Sequence, residues 1–253
     1  MMRFHDKVVL ITGAGVGIGR AAAIRFSTEG ARVAVNSLTP ANGMETLRLL
    51  KQAGGDGIYI QGDVSKDAEA RRMVEETVKR FGRIDILVNN AGIVLPGRVD
   101  NTSEDDWDRT LAVNLKGAFL VSRYVILEMR RGGGGVIVHN ASVAAIKGVK
   151  DRAAYAASKG GLWALTKAMA ADHLADNIRV NCVCPGTTDT PSLDRRIQAF
   201  ADPVRAKADF IARQPMGRLG RDQEIAAAIC FAASDEAAFM NGATITIDGG
   251  MTI

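Results

Sequence analysis

The chain has 253 residues, 47% of them hydrophobic and 24% charged, the balance of a globular protein and unlike that of a disordered or fibrous one. Its formal charge is +4, but Lys and Arg alternate with acids instead of forming a stripe, which argues against nucleic-acid binding. No apolar run reaches the roughly 18 residues of a membrane span, and a strand begins by Val8, so a cytoplasmic protein with no membrane partner is expected.

The first predicted strand, Lys7 to Ile11, runs into Thr12-Gly13-Ala14-Gly15-Val16-Gly17-Ile18-Gly19, and helical spacing follows from Arg20 to Phe26. A second strand covers Arg32 to Asn36, a helix Gly43 to Gln52, a third strand Gly57 to Gln61 and a helix Asp67 to Phe81. Ile84 to Asn89 is strand four. Ser103 is the expected N-cap of a helix containing Trp107, and a separate long helix is expected over about Val113 to Met129. After a glycine loop at Gly132 to Gly135 come strand five to Asn140, an Ala-rich helix from Ala153 to Leu174, and strand six, Ile178 to Val183. A helix over Gln223 to Phe231 and a strand over Ala243 to Ile247 complete the pattern.

Seven apolar strands alternating with helices predict one α/β domain, a doubly wound, seven-stranded parallel sheet of the Rossmann type with ligands at the C-terminal strand ends. Only Thr187 to about Met216, with Pro191, Pro203 and Pro215, breaks the rhythm, and it is expected to be a substrate lid. Cys182, Cys184 and Cys230 form no CxxC pair and have only His5, His139 and His173 for company, so neither a disulfide framework nor a metal site is expected.

A glycine turn between a strand and a helix lets a pyrophosphate approach backbone N–H groups at the helix N-terminus. Gly13, Gly17 and Gly19, with Val16 and Ile18 between them, therefore mark a dinucleotide site, spaced G-x-x-x-G-x-G. A carboxylate normally ends the second strand and holds the ribose 2′-OH of NAD. Asn36-Ser37-Leu38 offers none, so NADP(H) is admitted and slightly favoured over NAD(H), with Ser37 at the ribose. Asp63-Val64 after strand three is expected near the adenine, with a helix cap as the other role for Asp63, and Asn89-Asn90-Ala91-Gly92 gives small groups beside the ribose.

Tyr155 and Lys159 are four apart on a helix and share a face. A free tyrosine has a pKa of about 10, and an adjacent ammonium lowers it, which makes Tyr155 a usable acid and base. Ser142, after strand five, is placed to hold the substrate oxygen, and Asn114 to anchor a water leading to Lys159. His139 lies inside strand five, where a packed polar residue is expected sooner than a base.

These motifs, with Pro185-Gly186 and Ile247-Asp248-Gly249-Gly250, resemble the classical short-chain dehydrogenase/reductases over nearly the whole chain. That resemblance implies a nicotinamide cofactor, an Asn114-Ser142-Tyr155-Lys159 tetrad, a homotetramer, and Pro185, Gly186, Thr188 and Thr190 along the nicotinamide. Within the family, Asn181 to Leu193 and Arg196-Ile197-Gln198 are similar to type 2 (R)-3-hydroxybutyrate and 2-keto-3-deoxy-L-fuconate dehydrogenases. This implies a small hydroxy or keto acid whose carboxylate meets Arg152, Arg196 and Lys207. A 3-oxoacyl-(acyl-carrier-protein) reductase is the second reading, followed by a sugar or polyol dehydrogenase and by a non-catalytic NAD(P)-sensing protein.

Overall fold

A computed structural model describes residues 2–253. Four strands carry the cofactor half: β1 (Val8–Ile11), β2 (Arg32–Ser37), β3 (Gly57–Gln61) and β4 (Ile86–Asn89). β5 (Gly135–Asn140), β6 (Ile178–Pro185) and a last strand at Thr244–Ile247 extend the same sheet, and every pairing in it is parallel. β1 and β4 are buried at every position because helices cover both faces, which is why they read as unbroken apolar runs.

The helices are α1 (Gly17–Thr28), α2 (Pro40–Gln52), α3 (Asp67–Phe81), α4 (Glu104–Leu111), α5 (Gly117–Arg131) and α6 (Ala153–Asp172). Beyond β6 come a short strand β7 (Thr188–Asp189), α7 (Pro191–Gln198), α8 (Pro203–Ala212), a short strand β8 (Gly220–Arg221) and α9 (Asp222–Ala233); Thr244–Ile247 is then β9. In space the sheet runs β3-β2-β1-β4-β5-β6-β9, so its winding direction reverses between β1 and β4. The crevice outside that reversal is where a doubly wound sheet binds ligands.

Two apolar cores flank the sheet. Phe26, Ala22 and Leu50 meet Ile229 and Cys230 on one face, and Met73, Val125 and Met129 meet Leu87 and Ile137 on the other. A third cluster of Leu193, Ile197, Phe210 and Leu219 lies apart from both and joins α7 to α8.

Two expectations need correction. α2 starts at Pro40, since proline suits a first helical turn whose N–H groups have no partner. The two helices expected around Trp107 and Val113 are one helical run from Glu104 to Arg131, interrupted only by a π-helical stretch at Ala112–Lys116. By length and composition alone that run is apolar enough for a membrane span, a test that core helices also pass; half of its most apolar window is buried, and Val121, Val125 and Met129 fill the core. The segment after Thr187 is mostly ordered helix, each helix opening on proline, with caps from Thr190 and Asp202.

Candidate active site

Between β1 and α1 the chain turns on Gly13 and Gly17, whose φ values of 63° and 54° suit glycine. Side chains would also obstruct the turn. A Cβ on Gly13 would lie 2.7 Å from the Ala91 backbone, and one on Gly19 would lie 2.4 Å from Asn90 Nδ2. Val16, the N-cap, gives α1 no side-chain cap, and no acid occupies the first turn. The N–H groups of Gly17, Ile18 and Gly19 therefore face the cleft with helix-dipole support for an anion. These unfilled donors and the space kept free of Cβ atoms fit a dinucleotide pyrophosphate.

Asn36, the penultimate residue of β2, is a tie. Its Nδ2 donates to the Ile60 and Gly62 carbonyls at 3.2 and 3.1 Å, and its Oδ1 accepts from Gly13 N at 3.3 Å. A carboxylate could not donate those two bonds, so the residue that looks like a missing acid holds the turn to β3. Ser37 is the next side chain to line the cleft. Arg20 is held beneath the turn on Thr46 Oγ1 and the Gly15 carbonyl.

Asp63 also lines the cleft and does not cap α3; its Oδ1 accepts from both the Ser65 N–H and hydroxyl, and the N-cap is Lys66. Asn90 is pinned by bonds to the Thr12 and Gly13 carbonyls, both 3.0 Å, which sets Ala91 and Gly92 along the wall. Val64, Pro185, Gly186, Thr188 and Thr190 line the same cleft, and the Thr190 methyl lies 3.2 Å from where a Gly17 Cβ would be.

The catalytic candidates meet at the far end of this cleft, whose volume is about 550 Å³. Ser142 caps a single 3-10 turn, its Oγ accepting from Ala144 N at 3.1 Å. Asn114 sits on the π-helical stretch and grips Ile93, accepting from its N–H at 2.8 Å and donating to its carbonyl at 2.9 Å. A Cβ on Gly92 would touch both Asn114 Oδ1 and Lys159 Nζ, so these two groups converge on one point. Lys159 is buried and donates to the Asn140 carbonyl at 2.7 Å; burial pulls its pKa down to about 8.

Burial raises the pKa of Tyr155, and hydrogen bonding with Ser142 and the charges of Arg196 and Arg152 oppose that rise. These two arginines stand beside Tyr155 in addition to Lys159, whose Nζ lies 5.9 Å from the Tyr155 ring centre.

Arg152 and Arg196 both line the cleft. Lys207 does not: it lies on the exposed side of α8, because that helix turns Phe210 and the residue three further on, Arg213, toward the cleft instead. Arg213 lies 4.3 Å and Arg196 5.7 Å from the Phe210 ring centre. Arg213, Phe210 and Met251 are site residues that the sequence reading passed over. The signal for Arg213 was available, since Pro203 fixes the start of α8 and hence its register. His139 is wholly buried and neutral, its Nδ1 3.2 Å from Asn89 Nδ2, and burial lowers its pKa to about 3; it lies off the cleft.

A glycine turn at the sheet's reversal, leading to a serine, a tyrosine and a buried lysine, defines a nicotinamide-dependent oxidoreductase acting on CH–OH or C=O groups. A bound nicotinamide takes or gives the hydride, and the chain's own residues handle the proton. A family model described as enoyl-(acyl carrier protein) reductase matches residues 13–252. An uncharacterised oxidoreductase of Thermotoga maritima is 51% identical over 251 residues, covering 99% of each chain. Dehydrogenase/reductase SDR family member 6 of Danio rerio is 42% identical over 253 residues, again covering 99% of each. The crystal structure of levodione reductase superposes with a TM-score of 0.95 at 35% identity, covering 98% of each chain. The chain belongs to the short-chain dehydrogenase/reductase family.

Proposed function

We propose that the protein interconverts a small hydroxy acid and the corresponding keto acid, with NADP(H) slightly favoured over NAD(H). The observation that carries this reading is the group of Arg152, Arg196 and Arg213 beside Tyr155. All three line the cleft, and among the described residues none forms an ion pair. Burial lowers the pKa of Arg152 and of Arg196, and neighbouring arginines lower them further, so an anion is the missing partner.

In this reading Asn114, Ser142, Tyr155 and Lys159 are the catalytic set. Tyr155 gives its proton to the carbonyl oxygen during reduction and recovers one through the Asn114–Lys159 side. Ser142 holds that oxygen, and Lys159 supplies the positive charge behind it. The segment from Thr187 to Met216 closes over the substrate, and the assembly is a cytoplasmic homotetramer. Exposed Phe119 and Leu127 on α5 support self-association.

A thioester reductase is the second reading, favoured by the description of the matching family model. The test is coenzyme oxidation with acetoacetate and with an acetoacetyl thioester, each with NADPH and NADH. Preference for the free acid supports the hydroxy-acid reading; preference for the thioester overturns it. Arg196→Ala is expected to raise KM for the acid roughly ten- to a hundredfold, the loss of a charge-assisted hydrogen bond worth about 1.5–3 kcal/mol.

A further inference from the structure

The substrate end of the cleft carries more positive charge than one carboxylate neutralises. Besides Arg152, Arg196 and Arg213, exposed Arg109 on α4 and Arg195 on α7 line the cleft as a whole, and buried Lys159 adds another cation. Among the described lining residues Asp63 is the only acid, and it belongs to the cofactor half, beside β3.

The arginines are arranged in two tiers. Arg152 and Arg196 are close enough to the phenol to bias Tyr155. Arg213, the residue after α8, stacks 4.3 Å from the Phe210 ring centre. Phe210 ties the tiers together: its buried ring lies under Arg213 and, less closely, under Arg196, a cation–π platform fixed in the α7–α8 apolar cluster. Each guanidinium presents a fork of donors matched to a planar carboxylate, and three forks exceed what one carboxylate, with two oxygens, accepts.

We infer that the preferred substrate is a dicarboxylic hydroxy or keto acid, one carboxylate meeting Arg152 and Arg196 beside the reacting carbon and the other meeting Arg213 across Phe210. The inference rests on the hydroxy-acid reading and narrows it. A single carboxylate leaves three mutually repelling guanidiniums with a net charge of about +2, whereas two leave about +1. The second charge is also the feature that would separate the substrate from a monocarboxylate of the same length, and because Arg213 is exposed that attraction is one that salt screens.

The experiment compares 3-hydroxybutyrate, malate, 3-hydroxyglutarate and the monomethyl esters of the two diacids, measured as kcat/KM with saturating NADP+ or NAD+. Their binding to the coenzyme-loaded protein is measured separately by calorimetry. One diacid is expected to exceed its half ester at least tenfold in both measurements, with a steeper loss at high salt. Arg213→Met is expected to shrink that ratio toward one, and Arg213→Lys to restore part of it. Equal or better use of the half ester, or of 3-hydroxybutyrate over both diacids, overturns the dicarboxylate inference and leaves the hydroxy-acid reading standing. Preference for neutral alcohols or thioesters over every acid overturns both.

Discussion

The Lys159 ammonium donates to the Asn140 carbonyl at 2.7 Å and lies 5.9 Å from the centre of the Tyr155 ring. Its charge is thereby held by β5, two strands from β1 and the glycine turn. Burial lowers its pKa to about 8, while burial raises that of Tyr155, so the first group to lose a proton on the alkaline side is the lysine. A lowered lysine pKa means that the cation is present below about pH 8 and lost above it. The kcat/KM for carbonyl reduction, which reports the free enzyme, is therefore expected to fall with an apparent pKa of about 8. Lys159→Arg, whose charge persists, should lower the rate yet remove that limb; a profile over about pH 6 to 10 that keeps it would assign the titration elsewhere.

Ser37 faces the cleft, and its hydroxyl lies 2.5 Å from where a Gly15 Cβ would be. Ser37→Asp puts a negative charge where a 2′-phosphate is proposed to lie. NADPH affinity should drop about tenfold or more, a change of about 1.4 kcal/mol, with a smaller effect on NADH. Titrations in which both coenzymes lose equally would remove Ser37 from coenzyme choice.

Asn36→Ala removes the three side-chain bonds by which β2 ties the glycine turn to the end of β3, and leaves the Ile60 and Gly62 carbonyls without that donor. A loss of about 1–3 kcal/mol in urea unfolding is expected. Asn36→Asp should cost more, because its oxygens would face the Ile60 and Gly62 carbonyls. If aspartate proves neutral, the amide's two donated bonds are not what the position requires.

His139 makes stability fall in mild acid. Its folded pKa of about 3 lies below the ordinary 6.5, so the unfolded chain binds the extra proton between these values and stability rises with pH across that window. Acidification from pH 6.5 should cost about 1.4 kcal/mol per unit. His139→Gln should flatten the dependence of Tm between about pH 5 and 6.5, and an unchanged slope would place the acid sensitivity in other groups.

Most of the sheet is legible from periodicity, because strands buried on both faces leave apolar runs and glycines mark where they stop. The turn at Gly13 to Gly19 and the Tyr155–Lys159 pair are local patterns and read directly. What escapes is contact between remote segments. Asn36 looks like the absence of an acid until Ile60 and Gly62 are found beside it, and nothing near Tyr155 in sequence announces Arg196. The π-helical stretch at Asn114 leaves no compositional mark, and the two-residue strands β7 and β8 are too short for any period. The family resemblance points to Lys207, whereas the α8 register from Pro203 turns Arg213 to the cleft.

Leu193, Ile197, Phe210 and Leu219 pack with one another and not with the clusters that line the sheet. Arg196 and Arg213, two of the three arginines that would choose a substrate, hang from this small outboard nucleus, while Arg152 and the proton chemistry hang from β5 and α6. A substitution in the outboard nucleus can retune which acid is accepted without loosening the scaffold that runs the reaction. Descendants of this chain are thus free to change diet by redrafting some thirty residues, about an eighth of the whole, and to inherit the rest intact.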